Sequence, residues 1–422
     1  MTTLLLTRIR WAAALAAVFV LAARTACVGA AEPNVVTPEQ AAAGWISLFD
    51  GETLFGWQPT TSANWQVADG AITVSAGEPG FLMTTSQFAD YELHVEFKAP
   101  ASTNSGVFLR TPLQPANPAR DCYELNIAPI DNPFPTGMLV QRFTLKALAD
   151  DSGPQRDLRT LRSIADAVGG WCSLDVTVSG DKVSLSIFGE RVYTYVDPTP
   201  LTRGHIGLQF RAGPVAFRNI RLRPVGLQPM LSGRDLAGWN TKEKRASQFT
   251  IAEQGELHVT GGSGQLETDA AYGDFTLQFD TRVDGDGLNS GVFFRCIPGE
   301  YMQGYECQIS NKMIDGDPAR PADFGTGAIY RRIPARRIVA QDRQWFTTTI
   351  NAVGPHIAVW VNGYQVTDWT DTRPANENPR AGLRTAPGAI AIQGHDPTTN
   401  LRFRNFRIAE LPPRNVEQPN DD

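Results

Sequence analysis

A seven-residue phrase occurs twice in this chain. NSGVFLR runs from Asn104 to Arg110 and NSGVFFR from Asn289 to Arg295, with Leu109 against Phe294 as the only difference. The likeness extends outward in both directions. LFDGETLFGW (Leu48–Trp57) matches MLSGRDLAGW (Met230–Trp239), and CYELNI (Cys122–Ile127) matches YECQI (Tyr305–Ile309). WCSLDVTVSGDKVSLSIFGERV matches WFTTTINAVGPHIAVWVNGYQV, and HIGLQFRAGPVAFRNIRLRP matches AIAIQGHDPTTNLRFRNFRIAE. The period of roughly 185 residues is that of tandem domains and far too long for a solenoid unit. RPVGLQP (Arg223–Pro229) supplies the Pro and Gly of a short join between the copies.

Within each copy the pattern is that of strands. YELHVEF, FTLQFD, LDVTVSG, VSLSIF and HIAVWV alternate apolar and polar residues with period two. VSGDKVSLSI reads as a hairpin turning at Gly180 and Asp181. The 38 Gly and 29 Pro suit a turn-rich chain, and a charged content of 19% argues against helical bundles. Helix is confined to a turn near Pro38–Ala43 and a weak segment around Leu158–Ala167. About a dozen short strands per copy predict an all-β chain of two tandem two-sheet sandwiches of jelly-roll type, one sheet of each offering a concave face.

Acidic and basic residues are interspersed to a net charge of -6 without a basic stripe, which excludes nucleic acid as a natural partner. Residues 1–31 read as a secretory signal peptide: Arg8 and Arg10, an apolar run from Trp11 to Ala23, then small residues through Ala31. A periplasmic or secreted protein starting close to Glu32 is therefore expected. Lipid anchoring at Cys27 is disfavoured by Arg24, which stands where an aliphatic residue is wanted. No other stretch is long and apolar enough to be a transmembrane segment. Export permits disulfides, and the expected pairs are Cys296–Cys307 first and Cys122–Cys172 second, against the alternative of buried thiols.

LFDGETLFGW, NSGVFLR, the YE strand, TGAIY (Thr326–Tyr330), VNGYQV and LRFRNFRI, in that order, resemble the 3-keto-disaccharide hydrolase family, also described as 3-keto-glucoside 1,2-lyase/3-keto-2-hydroxy-glucal hydratase domains. The resemblance covers both copies, residues 45–224 and 229–411, and leaves 412–422 as a polar tail. It implies a concanavalin A-like sandwich, an exported bacterial protein and a 3-keto-glycoside as carbohydrate substrate. A ketone at carbon 3 acidifies the carbon 2 proton, so net hydrolysis by elimination and hydration needs a base, an acid and a cation or donor array.

The second copy supplies more of those groups. Glu306 and Gln308 share a strand face, as Asn289 and Arg295 do by the same parity. His395 and Asp396 follow AIAIQG, and Tyr330 and Arg331 close TGAIYR. His395, Glu306 and Tyr330 are the expected catalytic residues, with Arg295, Asn289, Gln308, Arg331 and Asp396 binding substrate. The first copy keeps Asn104, Arg110 and Glu124 as a secondary site, but has Phe210 and Arg211 where the second has Gly394 and His395, and Leu139 in place of Tyr330. It is expected to hold sugar and to catalyse poorly. No cofactor is required by any motif, and a divalent metal stays open because no ligand spacing demands one. Two rival readings remain: a non-catalytic lectin-like protein, and a conventional two-carboxylate glycosidase. The aglycone, the anomer and the oligomeric state are left undetermined.

Overall fold

The computed structural model describes residues 32–129, 131–142, 170–241 and 246–415. The expected leader at 1–31, the expected weak helical segment at Leu158–Ala167 and the end of the tail lie outside the described residues. Each copy forms an eight-stranded and a five-stranded antiparallel sheet, and the strand order is the same in both. The first five-stranded sheet runs Trp57–Pro59, Gly80–Thr84, His205–Ala212, Asn104–Thr111, Tyr123–Ile127. The second runs Trp239–Asn240, Gly264–Thr268, Ala389–Gly394, Ser290–Cys296, Tyr305–Ile309. The NSGVF and YE strands are thus direct neighbours, with Phe108 opposite Glu124 and Phe293 opposite Glu306. The only α-helix among the described residues, Pro38–Ala42, is capped by Thr37 and Gln40.

Period two explains the sandwich. In the second copy Val292, Phe294, Tyr305, Cys307, Ile309, Ile390 and Ile392 face the eight-stranded sheet and form one core with Phe275, Phe279, Phe403 and Phe406. Phe293, Ala389 and Ala391 alternate with them and form a separate small cluster on the outward face. The repeated FGW and AGW phrases close loops, each tryptophan indole donating to a carbonyl nine residues earlier, that of Leu48 from Trp57 and that of Met230 from Trp239. The FRN phrases mark bulges: Asn219 and Asn405 take φ of 51° and 53°, and with their neighbouring arginines they bind Glu96 and Asp280.

The arginine that ends each repeated phrase departs from the expected parity. Register shifts after Phe293 and after Phe108, where Arg295 and Arg110 take φ of 49° and 47°. Such a bulge redirects a side chain. Arg295 is 0% exposed: it donates to the carbonyls of Gly273, Gly354 and Arg384 and pairs with Asp274 at 3.1 Å. Arg110 repeats this with the carbonyls of Ala89, Gly180 and Leu201 and with Asp90. Gly388 and Gly204 make room, since a Cβ at either would lie 2.3 Å from the backbone of the arginine bulge. Arg295 and Arg110 are therefore internal ties and lie outside any surface that a sugar can reach.

The cysteine pairing is also corrected. The four cysteines among the described residues are buried and form no disulfide there. The bulge turns Cys296 outward beside Phe293, while Cys307 faces the core, so the two lie on opposite faces. Cys172 packs in the first core, and burial pushes the thiols of Cys122, Cys296 and Cys307 far up.

The sandwiches pack against each other. Trp360 of the second copy joins the core of the first, and its indole donates to the Ser47 carbonyl at 2.8 Å. Ser47 donates from its backbone to the Gly363 carbonyl at 2.7 Å, and Arg336 pairs with Asp50 at 2.8 Å. Asp274, the partner of Arg295, also takes Arg203 of the first copy at 2.7 Å. Replacing Arg295 by Met should cost about 3 kcal/mol or more in denaturant unfolding, because Asp274 and three carbonyls lose a buried cation. Affinity for sugar, measured well below the melting temperature, should stay within about twofold; a selective loss of affinity with unchanged stability would return Arg295 to the surface role.

Candidate functional site

The register of the second five-stranded sheet assembles the site in two rows on the outward face. Gln265, Gln393, Gly291 and Gln308 lie side by side across four strands, and Glu267, Ala391, Phe293 and Glu306 form the next row. A Cβ at Gly291 would crowd Glu306, meeting its Cγ and Oε1 at 3.0 Å. Gln308 and Gln393 each bury an Oε1 that accepts no hydrogen bond among the described residues. An unpaired buried acceptor is costly, and two beside a glycine gap suit a ligand rich in hydroxyl donors.

Glu306 is 5% exposed and accepts from Arg380 Nη2 at 3.0 Å. Burial raises its pKa above the ordinary carboxylate value, partly offset by Arg380 and by the charge of His395, while Asp323 pushes it up further. His395 follows the strand Ala389–Gly394, which Ser290–Cys296 separates from the strand of Glu306. Its Nδ1 meets Asp396 Oδ2 at 2.9 Å, and its side chain is 39% exposed. Hydrogen bonds from Thr398 and His395 hold Asp396 down to about 2, so it is ionised and orients the imidazole through Nδ1. Asn289 and Gln308 both donate to Asp323 Oδ2, at 2.9 and 3.2 Å. Tyr330 donates its backbone N–H to the Glu306 carbonyl at 2.9 Å, and its ring packs edge-on against Phe324 at 5.2 Å. Exposed Arg331 lies 5.3 Å from the Tyr330 ring, in a turn with φ of 59°.

The structure therefore gathers Glu306, Gln308, Asn289, His395, Asp396 and Tyr330, with Arg331 at the margin, and separates Arg295 from them. Sequence reasoning missed Gln393, Asp323 and Arg380. Gln393 carried a signal, since both copies keep it as Gln209 and Gln393. Among the described residues no group of three or more His, Cys, Asp or Glu is placed to hold a metal ion.

The first copy presents the matching rows as Phe81, Gln209, Gly106, Asn126 and Met83, Gly207, Phe108, Glu124. The counterpart of Tyr330 is Val140, which donates to the Glu124 carbonyl, and not Leu139, which bridges Leu125. Asn104 begins its strand opposite Ala212, half-buried. Burial pushes Glu124 up to about 7, with only the Gln209 amide and the charge of Arg211 opposing.

The two copies also differ in how the last hairpin leads to the central strand. In the first, Tyr123 donates to Asp197 and accepts from the Leu201 backbone, four positions apart. In the second, Tyr305 donates to Asp371 and accepts from the Arg384 backbone, thirteen positions apart. Nine additional residues in this connection of the second copy carry Arg380.

A 31% identical stretch of 77 residues is shared with a 3-keto-disaccharide hydrolase of Bacteroides thetaiotaomicron, covering 15% of this chain and 27% of that protein. Among solved structures, an inferred glycosyl hydrolase from Parabacteroides distasonis is 19% identical with a TM-score of 0.37, over 46% of this chain and all of its own. A carbohydrate-binding module from Bacillus subtilis is 16% identical at a TM-score of 0.29, over 40% of this chain and 94% of its own. The profile of the 3-keto-alpha-glucoside-1,2-lyase-like domain matches residues 44–223 and again 226–409, so the chain belongs to that family and carries its domain twice.

Proposed function

We propose that the second sandwich cleaves 3-keto-glycosides by elimination followed by hydration, and that the first holds sugar without comparable chemistry. The observation that carries this reading is the joint placement of Glu306, raised by burial, with His395 oriented by Asp396, on one face that also offers two buried amide oxygens unpartnered among the described residues. Glu306 takes the proton from carbon 2, and the electron pair moves to the carbon 3 oxygen. The pair then returns to form the carbon 1–carbon 2 double bond as the glycosidic bond breaks, and His395 protonates the departing oxygen. Water adds across the resulting enone. Gln308 and Gln393 accept from sugar hydroxyls, and Tyr330 with Phe324 walls the site. The family membership and the related hydrolase support this substrate class. The leader-like residues 1–31 support export to the periplasm or medium, which N-terminal sequencing of the cell-released protein checks.

Glu306→Gln or His395→Ala should each lower turnover of a 3-keto-glucoside by roughly a hundredfold or more, with melting temperature nearly unchanged. Turnover that survives both changes removes these roles.

Glu124 makes a separate prediction. Its folded-state pKa of about 7 stands above the ordinary 4.5, so across that window the folded chain binds a proton that the unfolded chain releases. Stability therefore falls as pH rises from 4.5 to 7, by about 3 kcal/mol in total. Glu124→Gln should match wild type near pH 4.5 and melt several degrees higher at pH 8, while turnover stays within a few-fold. A melting difference that is flat with pH shows that Glu124 is ionised throughout.

A further inference from the structure

Arg380 reaches the site on the nine residues that the first copy lacks, and it is held there more firmly than an ion pair needs. Its Nε donates to the Met302 carbonyl at 3.0 Å, and its backbone N–H donates to Asn378 Oδ1 at 2.9 Å. Its own carbonyl accepts from Arg332 Nη2 at 2.6 Å. The guanidinium lies 5.2 Å from the centre of the Phe293 ring, on the outward face. The connecting segment is itself fixed: Arg373 binds Asp371 at both oxygens and donates to the Pro379 and Gly382 carbonyls, and Asn378 donates to Gln303 Oε1 at 2.7 Å.

Two groups of the pair stay open. Arg380 spends Nη2 on Glu306 Oε2 and Nε on Met302, and its Nη1 makes no hydrogen bond among the described residues. Glu306 Oε1, above Gly291, likewise has no hydrogen-bond partner there. One accepting oxygen and one donating nitrogen thus stand on neighbouring side chains, with the arginine 28% exposed. A 3-keto sugar presents a matching pair on adjacent carbons, an acidic C–H and a carbonyl oxygen. Unoxidised sugar offers a hydroxyl in place of the carbonyl and has no acidified proton.

Resting on the function proposed above, we infer that Arg380 is the catalytic cation of the second copy, donating Nη1–H to the carbon 3 oxygen as Glu306 removes the carbon 2 proton. The proton passes to Glu306 Oε1, the C–H pair becomes the enolate, and its negative charge rests on the oxygen facing Arg380. No oxidant or reductant is involved. A guanidinium fixed by its own backbone and by a ring face needs little reorganisation as the charge develops, which is the condition under which such donors contribute most. The same residue selects oxidised over unoxidised sugar, and its absence from the first copy leaves Glu124 without a cation in contact to receive an enolate.

The test uses the full-length chain, a 3-keto-glucoside and the same glucoside unoxidised. Arg380→Ala should lower kcat on the keto substrate by roughly 10²–10³-fold while changing KM less. Guanidinium ion at tens of millimolar, far below denaturing levels, should restore part of kcat. Binding of the unoxidised glucoside by calorimetry should be unchanged in the variant. The inference is overturned if kcat of Arg380→Ala stays within a few-fold of wild type. It is equally overturned if kcat falls without guanidinium rescue and affinity for the unoxidised glucoside falls alongside, since Arg380 then only braces the segment. Failure of the underlying function is distinguishable, because wild type itself would leave the keto substrate untouched.

Discussion

The arginine at the end of each repeated strand is the constraint on which the remaining structure depends. A guanidinium presents five donors in a rigid fork and cannot shed its charge, so burying it obliges the chain to supply acceptors. Arg295 and Arg110 each collect three carbonyls and one carboxylate from segments far apart in sequence. That arrangement fixes the strand end, the turn between two outer strands and the connection leading to the central strand. Because Arg384 is one of the acceptors, the tie also anchors the segment that delivers Arg380. The arginine of the phrase recurs because the scaffold, rather than the chemistry, requires it.

Divergence between the copies then falls where the scaffold is indifferent. The rows facing outward keep a glutamine beside a glycine and a glutamate beside a phenylalanine in both. What differs is the electrostatic surrounding of that glutamate. Glu124 has an amide and a more distant arginine, and burial dominates. Glu306 has a guanidinium in contact and a histidine nearby, which offset part of the same desolvation. One carboxyl is suited to holding a proton near neutrality and the other to taking one up from a substrate. The insertion that carries Arg380 and the exchange of Arg211 for His395 both alter that surrounding.

Much of this was legible in the sequence, for physical reasons. Strands buried on one face write their alternation directly into the chain, and the duplication doubled every signal, so the all-β sandwiches, the pairing of NSGVF with YE and the site face bearing Glu306 and Gln308 could be read. His395 and Asp396 could be placed because they follow a strand with clean parity. Arg295 could not, since parity fails at a bulge, and nothing in FFRC announces the positive φ that reverses it. The Cys296–Cys307 pairing failed through that same reversal. Arg380 escaped because a side chain on an irregular connection has no periodicity to betray its direction; the unequal spacing of the two copies was its only trace. Asp323, likewise in a loop with φ of 47°, left no pattern at all.

The central claim is that the second sandwich cleaves by elimination, which labilises the carbon 2 hydrogen, and not by direct displacement at carbon 1. Proton NMR of a 3-keto-glucoside incubated with the wild-type chain in deuterated water tests it most directly. Under elimination the sugar product carries deuterium at carbon 2, and a 2-hydroxy-3-keto-glucal signal rises before it. A product formed at full rate with its original carbon 2 hydrogen retained, and no glucal at any time, would contradict it.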